Sequence, residues 1–128
     1  MKSILIVDDD PASLALVEGV LDAEGYETRK AAAPVQALEI LKNWTPDVIL
    51  LDIQLHGLDN GLEFARRLKS NIATRSTPII AFTAYSERWS EAETRAAGCD
   101  GYLEKPITAQ MLAAAVRKAL EKAGSARD

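Results

Sequence analysis

What this chain has little of narrows it quickly. In 128 residues it has one cysteine, Cys99, and one histidine, His56. A lone thiol rules out an internal disulfide and fits a reducing cytoplasm. Cys99 follows Gly98 and leads into a strand, which reads as a buried, inert thiol. No apolar run approaches the roughly 18 residues that a membrane-spanning helix needs. The first residues enter a strand directly, so no signal peptide is expected. Positive charge is not in excess: 15 Lys and Arg face 19 Asp and Glu, for a net charge of -4. That balance argues against a dedicated nucleic-acid surface, and Arg66-Arg67-Leu68-Lys69 reads as a solvated helix face. Repeats, linkers and a second domain are also missing.

What is present is an ordinary globular composition, 48% apolar and 27% charged, with enough length for one domain and one sizeable core. Three apolar runs each end on a reactive polar group. Ile4-Leu5-Ile6-Val7 leads to Asp8-Asp9-Asp10, Val48-Ile49-Leu50-Leu51 to Asp52, and Ile79-Ile80-Ala81-Phe82 to Thr83. A shorter stretch, Gly101-Tyr102-Leu103-Glu104, leads to Lys105-Pro106, and residues 26–30 read as one more short strand. Runs of this kind, alternating with helix-patterned segments, are buried strands of a parallel sheet.

The helix signals fill the gaps. Asp10 is an N-cap, Pro11 suits the first turn and Gly25 is a stop, with Leu14, Val17, Val20 and Leu21 forming one stripe. Pro34 opens a second helix carrying Leu38 and Leu41, which fades near Trp44 and breaks at Thr45-Pro46. Asn60 with Glu63 resembles a capping box for a third helix bearing Phe64, Ala65, Leu68 and Ile72. Ser86 or Ser90 caps an Ala-rich fourth helix ending at Gly98. Thr108 caps the last, with Met111, Leu112, Ala115, Val116, Ala119 and Leu120 on one face. Residues 124–128 are expected to fray.

Five β/α units of this type predict an α/β fold, a doubly wound five-stranded parallel sheet in flavodoxin-like order 2-1-3-4-5 with helices on both faces. In that order strands 1 and 3 are neighbours, so Asp8, Asp9 and Asp52 meet at the carboxyl rim, where ligands of such sheets bind. Clustered carboxylates repel one another, and a divalent cation relieves the repulsion. With oxygen donors only, Mg2+ is the natural choice. Asp10 is assigned to capping alone. Asp52 is the candidate nucleophile, because a carboxylate can form an acyl phosphate. Lys105 can pair with a phosphoryl oxygen and the Thr83 hydroxyl can donate to another.

On these residues the chain resembles the receiver domains of bacterial two-component response regulators, from residue 3 to about 122. The matching positions are the acid pair Asp8 and Asp9, the phosphoacceptor position Asp52, Thr83 followed by the small Ala84, and Lys105 before Pro106. The resemblance implies a cis Lys105-Pro106 bond, Tyr102 as the aromatic switch residue, and Gln54 as the residue whose backbone carbonyl ligates the metal. It also implies a histidine kinase or phosphotransfer protein as phosphodonor. Phosphorylation is expected to alter the face formed by the fourth helix, fifth strand and fifth helix, where a downstream protein would bind and where Trp89 lies close by. In the family, side chains two residues beyond the phosphoacceptor and two beyond the hydroxyl residue flank the path of hydrolytic water. Here these are Gln54 and Tyr85, neither a base, so a long-lived phosphoryl group is expected.

Two departures lie in the loop after Asp52. His56 stands where the family usually has proline, and the segment to Gly61 is one residue longer than the commonest form. The expectation is therefore a receiver domain over residues 1–123 with a short tail and no output domain. It would not be an enzyme beyond self-phosphorylation and slow autodephosphorylation. A receiver cut from a longer protein would carry the same residue pattern. A phosphatase of haloacid-dehalogenase type would want a cap and a second late acidic pair. A nucleotide or flavin module would want a Gly- or Ser/Thr-rich first turn. A degenerate receiver used only for binding would have no need of the full polar set.

Overall fold

The computed structural model describes residues 2–53, 61–83 and 91–127. Ten elements alternate along the chain: β1 (Ser3–Val7), α1 (Pro11–Ala23), β2 (Glu27–Ala31), α2 (Pro34–Leu41), β3 (Val48–Asp52), α3 (Gly61–Ser70), β4 (Ile79–Thr83), α4 (Glu91–Ala96), β5 (Gly101–Glu104) and α5 (Ala109–Arg127). All strand pairs are parallel and the sheet order is β2-β1-β3-β4-β5, as the element pattern predicts.

β1, β3 and β4 are buried throughout because both of their faces are covered. Alternate residues divide between two cores. Leu5, Val7, Ile49 and Leu51 pack with Ala37, Phe64, Ala65 and Leu68 of α2 and α3. Ile4, Ile6, Leu50 and Phe82 pack with Val17 and Leu21 of α1 and Leu112 and Val116 of α5. This period-two division explains why the strands read as unbroken apolar runs.

Local chemistry sets the boundaries. Asp10 Oδ1 accepts from the Ala12 amide at 3.2 Å and Pro11 occupies the first turn of α1. Gly25 ends that helix at φ 89°, a left-handed conformation that favours glycine. The Tyr26 amide is bound to the Leu21 carbonyl at 3.1 Å, which keeps Tyr26 in the turn and starts β2 one residue later than its sequence pattern indicates. Thr108 Oγ1 accepts from the Met111 amide at 3.1 Å and caps α5.

Two expectations are corrected. Ile72 is not on α3, which stops at Ser70; the Asn71 side chain accepts from the Ala73 amide at 2.9 Å, the chain turns, and Ile72 is 78% exposed. Met111 is 43% exposed, because the buried seam of α5 runs through Leu112, Val116 and Ala119 and leaves Met111 at its margin. The backbone of α5 runs to Arg127. Trp44 packs against the α2–α3 core as expected, with the Arg29 guanidinium 4.5 Å from its ring centre. The capping residues proposed at Asn60, Ser86 and Ser90 lie outside the described residues.

These burials predict a contrast. Leu50→Ala should cost about 2–5 kcal/mol, the usual cost of a core cavity, whereas Ile72→Ala should change stability by no more than about 0.5 kcal/mol. Urea unfolding of both variants beside the parent checks this.

Candidate functional site

The sheet order places the ends of β1 and β3 side by side, and the residues just beyond them form the site. Asp8 is fully buried and Asp52 is 4% exposed. Asp9, between Asp8 and the first turn of α1, is half-buried. One oxygen from each of Asp8, Asp9 and Asp52 lies within 4.8 Å of the others. The expected acidic cluster is therefore assembled.

Each of these positions has a local cause. The Asp8 amide donates to the Ala31 carbonyl at 3.0 Å, carrying the β1–β2 ladder one step beyond β1. Asp8 Oδ1 accepts from the Asp10 amide at 2.9 Å, which ties the carboxylate to the entrance of α1. Asp52 stands at the end of β3 opposite Phe82. The next residue, Thr83, is fully buried at the end of β4. Its carbonyl accepts from the Lys105 amide at 2.8 Å, so the chain following β5 is anchored to the same rim.

Lys105 supplies the cation. Its Nζ donates to Asp52 Oδ2 at 3.0 Å and to Asp8 Oδ2 at 3.3 Å. Its ammonium lies 5.0 Å from the centre of the Phe82 ring. Burial works to lower the Lys105 pKa, but the hydrogen bond and charge of Asp52, reinforced by Asp8, together hold it above the ordinary lysine range. The Lys105-Pro106 bond is cis.

Three carboxylates against one ammonium leave two formal negative charges on a site that offers oxygen donors. This donor set and charge match a hard dication such as Mg2+, which takes a few carboxylates and keeps several waters. Gln54, His56, Ala84, Tyr85 and Trp89 lie outside the described residues. Tyr102, in β5, is half-buried against the α2–α3 core. Burial, with the nearby charges of Glu104 and Glu91, raises its phenol above the usual range.

The model of the response regulator receiver domain family matches residues 4–117. The chain belongs to this family. It is a response regulator receiver domain of the two-component type. It is 37% identical over 107 residues to the polar-differentiation response regulator DivK of Brucella ovis, covering 84% of this chain and 86% of that protein. A CheY-like receiver domain protein from Methanospirillum hungatei superposes with a TM-score of 0.88 at 29% identity, over 98% of both chains. The receiver domain of the sensor histidine kinase PA1611 from Pseudomonas aeruginosa, whose structure has a magnesium ion coordinated in the active-site cleft, gives 0.84 at 28% identity, over 94% of this chain and 98% of that one.

Sequence reasoning missed one supporting residue. A Cβ on Gly61 would clash with the Ile53 carbonyl oxygen, to which the Gly61 amide donates at 3.1 Å. Only a glycine lets α3 start this close to the residue after Asp52. The signal was a glycine opening a helix, where a side chain would normally be tolerated.

Cys99 is buried as expected, and burial, with a smaller effect from Asp100, pushes its thiol up to about 12. At pH 8 the folded protein should therefore react with iodoacetamide at least about a hundredfold more slowly than the unfolded chain, since the thiolate is the nucleophile. The unfolded thiol ionises first, so this group weakens the fold as pH rises from 9.0 to about 12. Timed alkylation with mass detection checks the first point; equal rates would contradict the burial.

Proposed function

We propose that this receiver domain accepts a phosphoryl group onto Asp52 from a histidine kinase or phosphotransfer protein, and passes the signal on by protein contact or phosphorelay. The observation that carries this reading is the arrangement at the rim: Asp8, Asp9 and Asp52 converge within 4.8 Å, and Lys105 bridges Asp52 and Asp8.

In the proposed step an Asp52 carboxylate oxygen attacks the donor phosphorus. The new P–O bond forms as the P–N bond to the donor imidazole breaks, and the imidazole leaves with the electron pair. Asp8, Asp9 and Asp52 would hold Mg2+, with the Gln54 carbonyl as a further ligand. When bound, Mg2+ offsets negative charge on the phosphoryl oxygens. Lys105 moves its hydrogen bond from the Asp52 carboxylate to a phosphoryl oxygen. The Thr83 hydroxyl donates to another and withdraws from the side facing β5, and Tyr102 turns inward to fill the space. This biases a two-state surface of α4, β5 and α5 towards its downstream protein. Gln54 and Tyr85 provide no base for water, so the acyl phosphate persists.

The test is labelling with acetyl phosphate or a cognate kinase. The parent protein should gain one phosphoryl mass in Mg2+ and none in excess chelator. Asp52→Asn, a nearly isosteric change that removes one charge from the cluster, should fold normally and gain none. Labelling of that variant at the parental rate would move the acceptor elsewhere and overturn the proposal.

A further inference from the structure

Among the described residues β5 is the edge of the sheet, bonded to β4 on one side only. At the start of these two strands, away from the Asp52 rim, a cavity of about 370 Å³ opens between α5 and the turn that precedes β4. Its walls hold Lys69, Arg75, Arg95, Lys118 and Lys122 against one acid, Asp100. One third of the chain's 15 basic residues thus line one cleft of a protein with net charge -4.

The five cations are not equivalent. Lys69 Nζ is committed at 2.9 Å both to Asp100 and to the Thr77 carbonyl, and Asp100 also accepts from the Ile79 amide at 2.9 Å. This buttress fixes the floor and neutralises Asp100. Arg95 Nε is held by Glu91 at 3.0 Å. Arg75, Lys118 and Lys122 are exposed and have no ion pair among the described residues. Lys118 and Lys122 are one turn apart on α5, so their side chains stand on the same face with Cβ atoms about 5–6 Å apart, and Arg75 faces them from the α3–β4 turn. Between the charges the lining is apolar, from Pro78, Ile80, Ala115 and Ala119.

We infer that this cleft is a docking site for an extended acidic segment of a partner protein, with carboxylates on Arg75, Lys118 and Lys122 and an apolar side chain seated between them. Spaced cations beside a terminal strand suit an extended peptide, whose backbone can run along β5 while alternate side chains reach the pocket. Complementary charge supplies speed of encounter and selectivity. The inference deepens the proposed role of the α4–β5–α5 face by naming the partner's chemistry, and it does not need phosphoryl transfer, so the Asp52→Asn variant separates the two. That variant should bind the segment as the unphosphorylated parent does.

The probe is a 12-residue Asp/Glu peptide with one central Leu, titrated into the 15N-labelled full chain. Shifts should concentrate at Gly101, Tyr102, Ala115, Lys118 and Lys122, and binding should weaken as salt rises. Lys118→Glu/Lys122→Glu and Arg75→Glu should each weaken binding at least tenfold, whereas Lys42→Glu, on the exposed end of α2, should leave it unchanged. Circular dichroism and thermal unfolding establish that each variant is folded. The proposal is overturned if the peptide does not bind, if the shifts fall elsewhere, or if the charge reversals leave affinity unaltered. It is also overturned if ATP or inorganic phosphate occupies the cleft while the peptide does not.

Discussion

Three carboxylates share one rim with one ammonium, and the rest of the site follows from that imbalance. Two of the acids, Asp8 and Asp52, are almost entirely removed from solvent. Buried charge of one sign is costly unless it is paired. Lys105 supplies the pairing, reaching both acids from the end of β5. Its commitment is partial, since one cation cannot neutralise three anions, and the remainder suits a dication. The same ammonium balances the cluster and, in the proposed phosphoryl transfer, would meet a phosphoryl oxygen.

The fold contributes position rather than chemistry. Parallel strands covered on both faces end at a common rim, and the switch in winding direction between β1 and β3 leaves a gap between helices there. Asp8 is fixed by the Asp10 amide, Lys105 by the Thr83 carbonyl, and the exit from β3 by the close approach of Gly61 to Ile53. Each engages at least one backbone group, so the side chains of the site sit on a frame that surface substitutions hardly disturb.

Most of this was legible in the sequence because the apolar runs are unbroken and each stops at a polar residue of the rim. The alternation of elements pointed to a doubly wound parallel sheet, and in the order 2-1-3-4-5, one of the two common for such sheets, Asp8, Asp9 and Asp52 meet. What was not legible depended on three-dimensional closeness or on competing local bonds. Ile72 fits the α3 periodicity, yet the Asn71 side chain turns the chain before it. Met111 has the spacing of a core residue, but packing selects a narrower seam on α5. The tight contact at Gly61 involves a strand end, and no pattern of spacing reveals it. The basic cleft escaped notice because Lys69, Arg75, Arg95, Lys118 and Lys122 come from four separate segments and look like ordinary solvated charges along the chain.

If Lys105 balances the carboxylates in competition with a metal ion, removing its charge must have two linked effects. Thermal unfolding of Lys105→Met and of the parent, each across a Mg2+ titration, measures both together. The account predicts that the variant is less stable than the parent without Mg2+, and that it gains more stability than the parent as Mg2+ is added, because the cation no longer competes with an ammonium. Equal stabilisation of the two proteins by Mg2+, or a variant as stable as the parent in chelator, would contradict it.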